Sequence, residues 1–211
     1  MKKLSAIILF CLVSLAGVQG LQAQAYDDDY YTYGKHEVFF QYGAPTFQEL
    51  SNQIKHQIVT AKDGQKYEPT HFAYTGVFAL GYNFYTSPFM SIGGYLGAST
   101  AILQMSKEGS TKSVFSSTVL SLTGLVTANW TYFHSGMWEL SAQAAAGVCR
   151  WMDEQEMEDE HVKDISKDTA RWRFAYHLSP LHVRWGGTFG VYADVGWGYK
   201  GVANVGLSIR F

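Results

Sequence analysis

Apolar residues alternate with small or polar ones through one stretch of this chain after another. A period of two is the signature of β-strands with unlike faces. The stretch VANVGLSIRF at positions 202–211 sets Val205, Leu207, Ile209 and Phe211 against Asn204, Gly206, Ser208 and Arg210. From Phe72, one face carries Phe72, Tyr74, Gly76, Phe78, Leu80, Tyr82 and Phe84, with aromatics at both ends. Aromatic girdles around an apolar band mark a strand that faces lipid. Further alternating runs begin near Lys35, Met90, Ser113, Trp138, Ala170 and Phe189. With the final segment they predict eight strands, an even number that leaves both ends of the barrel on one side. Tight turns fall near 86–88, 134–136 and 186–187, and longer segments near 44–71, 106–112 and 152–168. Short periplasmic turns opposite long outer loops are the expected asymmetry of an outer-membrane barrel. The fold expected is all-β: an eight-stranded antiparallel transmembrane up-and-down β-barrel.

One segment breaks the pattern. Over residues 46–60, Phe47, Leu50, Ile54 and Ile58 recur at helical spacing, which predicts a short amphipathic helix in the first outer segment.

Composition agrees with a barrel and excludes several other classes. Charged residues make up 16% of the chain, below the quarter or so usual for soluble domains. A net charge of -2 gives no basic footprint for nucleic acid. Lys2 and Lys3, an apolar run over 4–18 and Ala23-Gln24-Ala25 predict a signal peptide at 1–25. Residues 26–35, with Asp27-Asp28-Asp29 among tyrosines, read as a flexible periplasmic lead-in, and 36–211 as the barrel domain. Cys11 leaves with the signal, so Cys149 has no partner for an internal disulfide and reads as a small buried or lipid-facing residue.

The face opposite the apolar one bears the chemistry. Glu139, Asp194, Arg171, Arg173, His177, Arg210, Asn129 and Gln143 fall on it and predict a polar network inside the lumen. Charges of both signs in so narrow a barrel are expected to pair and plug it. The competing reading of the same residues is a narrow pore. The run DEQEMEDEHVKD, with Asp153, Glu154, Glu156, Glu158, Asp159 and Glu160, lacks the spacing and the glycine of a calcium loop and reads as a solvated acidic loop. No G-x-S-x-G is present. His134-Ser135 sit in a turn, His177 and Ser179 face the lumen, and His161 and His182 have no evident partners. A triad needs its members converging on one point, so an enzyme is not expected. Nor is any cofactor or metal.

Four stretches resemble a known family: EVFFQYGAPTFQEL, YTGVFALGYNFY with SPFMSIGGYLG, FAYHLSPLHVRWGG, and GVYADVGWGYKGVANVGLSIRF. They are similar to the small outer-membrane β-barrel proteins of the Bacteroidota, grouped loosely with OmpA-, OmpX- and OmpW-like barrels and called the porin family. The resemblance implies an outer-membrane location with both termini periplasmic. It implies a monomer, contact with outer-membrane lipids and lipopolysaccharide, and Phe211 as the signal read by the barrel assembly machinery. It brings no catalytic residues. The expected function is a non-enzymatic scaffold presenting its outer loops to ligands. The alternatives are a narrow small-solute channel and an outer-leaflet lipid-modifying enzyme. The structural rival is a soluble secreted barrel with an apolar interior.

Overall fold

The computed structural model describes residues 34–46, 59–60, 66–107, 113–157 and 169–211. The expected signal peptide, nearly all of the lead-in, and the acidic run beyond Met157 lie outside them. So do residues 47–58, the body of the expected helix. Among the described residues there is no helix.

Eight strands form the barrel: β1 (His36–Ala44), β2 (Lys66–Ser87), β3 (Met90–Lys107), β4 (Ser113–Ser135), β5 (Trp138–Met157), β6 (Thr169–Gly186), β7 (Phe189–Gly198) and β8 (Ala203–Arg210). A two-residue strand, Val59–Thr60, adds to Lys66 and Tyr67 at the start of β2. Each barrel strand pairs antiparallel with the next in sequence, except that β1 lies between β8 and β2 and closes the ring. Phe40 of β1, for example, stands opposite Leu207 on one side and Leu80 on the other. Backbone hydrogen bonds of 2.9 Å in both directions join His36 to Phe211.

The alternation sorts the two faces. In β3, Tyr95 is 1% exposed while the adjacent Leu96 is 71% exposed. Phe78, Leu80, Val126, Phe174, Val195 and Leu207 are likewise exposed on the outer face, and Gln41, Thr127, His177, Asp194 and Asn204 are buried on the inner one. Most large apolar residues of the strands are therefore outside, and most buried charged and amide residues are inside.

Extra residues disturb the period at several points of the described strands, and three lie within β2, β4 and β6. In β2, Tyr74 pairs with Ala101 but Val77 with Ser99, and Gly76 supplies the positive φ of 71° at the bulge. The single unbroken face expected from Phe72 to Phe84 is thus interrupted, and Tyr74 shares a register with Ala101. In β4 the extra residue is Tyr132, between Thr131 and Phe133. In β6 it falls at Pro180. Gln143 pairs with Ser179 and Ser141 with His182, so inward positions shift from His177 and Ser179 to His182 and Arg184. Proline has no N–H for the ladder, and a bulge is where a strand tolerates it.

Tight connections join β2 to β3, β4 to β5 and β6 to β7, all at the barrel end that holds His36 and Phe211. The opposite end carries the longer connections and the turn at 199–202. β5 runs to Met157, so the start of the expected loop at 152–168 is strand, and Asp153 accepts a hydrogen bond from Ser117 Oγ at 2.8 Å.

Candidate functional site: the barrel interior

Small inward residues make space for large ones. Gly81 lies against the Phe39 ring, so a Cβ at position 81 would collide with it. The lumen also holds a buried apolar cluster that includes Val77, Tyr95, Leu125, Cys149 and Tyr192, and beside it lie two polar clusters.

The first sits at the tight-turn end. Glu37 Oε1 lies 2.9 Å from Arg184 Nε and 3.4 Å from Arg210 Nε. Glu37 Oε2 accepts hydrogen bonds from Asn83 Nδ2 at 3.0 Å and Tyr85 Oη at 2.9 Å. Arg210 also pairs with Glu139 at 2.7 Å, and its guanidinium lies 4.3 Å from the centre of the Tyr85 ring. Arg184 donates to the carbonyls of Gly186 and Gly187, each at 2.8 Å, and so ties the cluster to the β6–β7 turn. Two carboxylates meet two guanidiniums, which is the condition for keeping such groups charged away from water.

The second cluster surrounds Asp194 of β7. Its carboxylate accepts a hydrogen bond from Asn204 Nδ2 at 2.7 Å. His177 Nε2 stands 3.8 Å away, His182 Nδ1 3.7 Å and Lys200 Nζ 3.9 Å. Lys200 donates to Gln143 Oε1. Gln143 donates to Asn129 Oδ1 at 2.5 Å, and Asn129 to Ser91 Oγ at 2.8 Å. Gln41 donates to Asn204 Oδ1 at 2.9 Å. Burial pushes the Lys200 ammonium below its ordinary pKa, and Asp194 opposes that shift.

Between the clusters lies a cavity of about 10 Å³, bordered by Glu37 and Asn83 on one side and Gln143, His182 and Lys200 on the other. That is about the room one water needs. Among the described residues no group of three or more His, Cys, Asp and Glu side chains is placed to hold a metal ion.

Of the residues read from sequence, Glu139 and Arg210 lie in the first cluster, and Asp194, His177, Asn129 and Gln143 in the second. Arg171 and Arg173 stand apart. Both are exposed, and the Arg173 guanidinium lies 4.0 Å from the centre of the Trp151 ring. Phe211 is 63% exposed and stacks on the His36 ring, with centroids 5.8 Å apart. Cys149 is fully buried on the inner face, where its sulfur accepts a hydrogen bond from Thr123 Oγ1 at 3.2 Å.

Three charged residues of the interior are additions. Glu37 was legible, because it alternates with Val38 and Phe40 of β1. Arg184 was not, because the bulge at Pro180 reverses its facing. Lys200 sits in a connection that reads as an outer loop, yet it is 1% exposed. Its turn is drawn inward by hydrogen bonds from Tyr199 N to Tyr176 O at 3.0 Å and from Val202 N to Pro45 O at 2.8 Å. His182, without an evident partner in the sequence, is carried beside Asp194 by the same bulge.

No protein-family model matches the chain, and no curated protein matches it.

Proposed function

We propose that this protein is a non-enzymatic outer-membrane β-barrel whose outer face meets lipid and whose lumen is closed by its two ion clusters. The observation that carries the reading is the inversion of the faces. Leucine, valine and aromatic side chains stand exposed all round, while glutamate, arginine, aspartate and lysine are buried within. In water that arrangement exposes a large apolar surface and desolvates charges, both unfavourable. In a bilayer the outer face matches its solvent. A soluble carrier barrel requires the opposite. In this reading both termini are periplasmic, Phe211 is read by the assembly machinery, and the barrel is a monomer among lipids and lipopolysaccharide. The long-connection end points outward as the ligand-presenting face.

Catalysis by His177, Ser179 and Asp194 is disfavoured. Ser179 Oγ lies 3.2 Å from the Leu181 carbonyl oxygen and 3.0 Å from that of Val195, which share its one proton, inside the lumen. A small-solute channel would require the clusters to part, and the interior gap bordered by both is one water in size.

The test has two stages. Outer membranes are purified, and samples are run on gels with and without boiling. The expected result is a mobility shift on boiling. A soluble periplasmic protein with no shift overturns the membrane reading. Planar-bilayer recording then separates closed scaffold from channel. The expected trace lacks discrete steps, and reproducible single-channel steps make the protein a porin instead.

A further inference from the structure

We propose that a groove in the outer wall of this barrel seats one acyl chain of a membrane phospholipid. The inference rests on the reading of the outer face as lipid-facing.

The groove is open to the outside, has a volume of about 610 Å³, and crosses β4 to β7. Its floor is Ala142 and Ala144 of β5, and its walls are Trp130, Leu178, Pro180 and Trp197. The register builds it: Trp130 stands opposite Ala142, Ala144 opposite Leu178, and Leu178 opposite Trp197. Two methyl groups thus lie recessed between larger side chains. The bulge at Pro180 deepens the recess, because Leu178 and Leu181 pair with Trp197 and Val195 across an extra residue. Such a bulge kinks a strand locally.

The chemistry of the lining selects the occupant. None of the lining residues carries a charge. The two polar ones, Gln143 and Ser179, are already engaged: the Gln143 amide with Lys200 and Asn129, and the Ser179 hydroxyl at the carbonyls of Leu181 and Val195. A headgroup finds nothing to bond there, whereas an unbranched hydrocarbon finds apolar walls on both sides. The groove is continuous with the apolar outer surface, where Val126, Phe174, Val195 and Val148 are exposed around it.

The test uses the full chain folded into vesicles of phosphatidylethanolamine and phosphatidylglycerol, extracted in mild detergent and weighed by native mass spectrometry. One phospholipid is expected to stay with each wild-type barrel. In Ala144→Phe the retained fraction is expected to fall about tenfold, because the ring occupies the space of the chain and its buried contacts are lost. Ala98→Phe, on the outer face of β3 away from the groove, is expected to retain lipid as wild type does. Ala142→Phe repeats the test if Ala144→Phe does not fold. Equal retention in the groove variants and wild type, no retained lipid in wild type, or a lipid-free dimer overturns the inference. A wild-type chain that stays out of the vesicles and shows no boiling shift overturns the membrane reading, and this inference with it. A shifted chain without lipid overturns this inference alone.

Discussion

Glu37 is the residue on which the tight-turn cluster turns. It faces Arg184 and Arg210 at once and accepts from Asn83 and Tyr85. Replacing it with glutamine removes the carboxylate beside Arg184 and leaves Arg210 facing Glu139. Breaking a buried pair from one side costs about 3–5 kcal/mol, since the abandoned charge remains desolvated. Glu37→Gln is therefore expected to unfold at markedly lower denaturant in micelles, by roughly that energy. A loss under about 1 kcal/mol would mean that water or a rearranged Glu139 supports the arginines. The position was readable from the alternation of β1, but its partners were not. Arg184 is distant in sequence, and its inward aim depends on a strand irregularity.

That irregularity is the decisive feature of β6. Strict alternation from His177 assigns Val183 and Trp185 to the lumen and Arg184 to the outside. The extra residue at Pro180 reverses this. Arg184 becomes 2% exposed and Trp185 48% exposed. Because the side-chain period is two, a one-residue change inverts every residue beyond it. Deleting Pro180 removes the extra residue and is expected to restore an uninterrupted ladder in which Ser179, His182 and Arg184 still face inward. The boiling-sensitive band should therefore remain. Pro180→Ala keeps the residue count and the contacts of Arg184, so its band should remain as well. Loss of the band in the deletion variant alone would show that the bulge itself, and not only the inward facing of Arg184, is needed to close the barrel. The Ser-Pro pair was a visible signal for the bulge, since proline is confined within sheets to edges, strand starts and bulges. Its effect on phase emerges only when β5 and β7 are set beside it.

At the scale of the molecule, strand lengths are uneven. β2 to β6 run 18 to 23 residues, while β1, β7 and β8 run 8 to 10. About 9–11 tilted residues cross a bilayer, so under the proposed membrane reading the shorter strands match one crossing and the longer ones continue past it at the long-connection end. The described contacts that close the ring, β1 with β8 and the two ion clusters, are made between residues outside 158–168. Replacing 158–168 with a short glycine-containing turn is therefore expected to leave the boiling shift intact and lower stability by no more than about 1 kcal/mol, as loop length enters only logarithmically. Loss of the shift would assign that segment a part in closing the barrel.

Alternation, turns and the scarcity of charge were enough, by themselves, to determine an all-β barrel of eight strands with an apolar outside and a polar inside. Facing is a local property: each residue's neighbours two positions away reveal it, and Glu139, Asp194 and His177 were placed inward on that basis alone. The tertiary structure decided which charges meet. Glu37 finds Arg184, and Asp194 finds His182 and Lys200, through the register between strands, one bulge, and a turn drawn into the lumen. Those are relations between distant segments. They arise when the ring closes and buried charges must find partners, a constraint that no single strand carries in its own sequence.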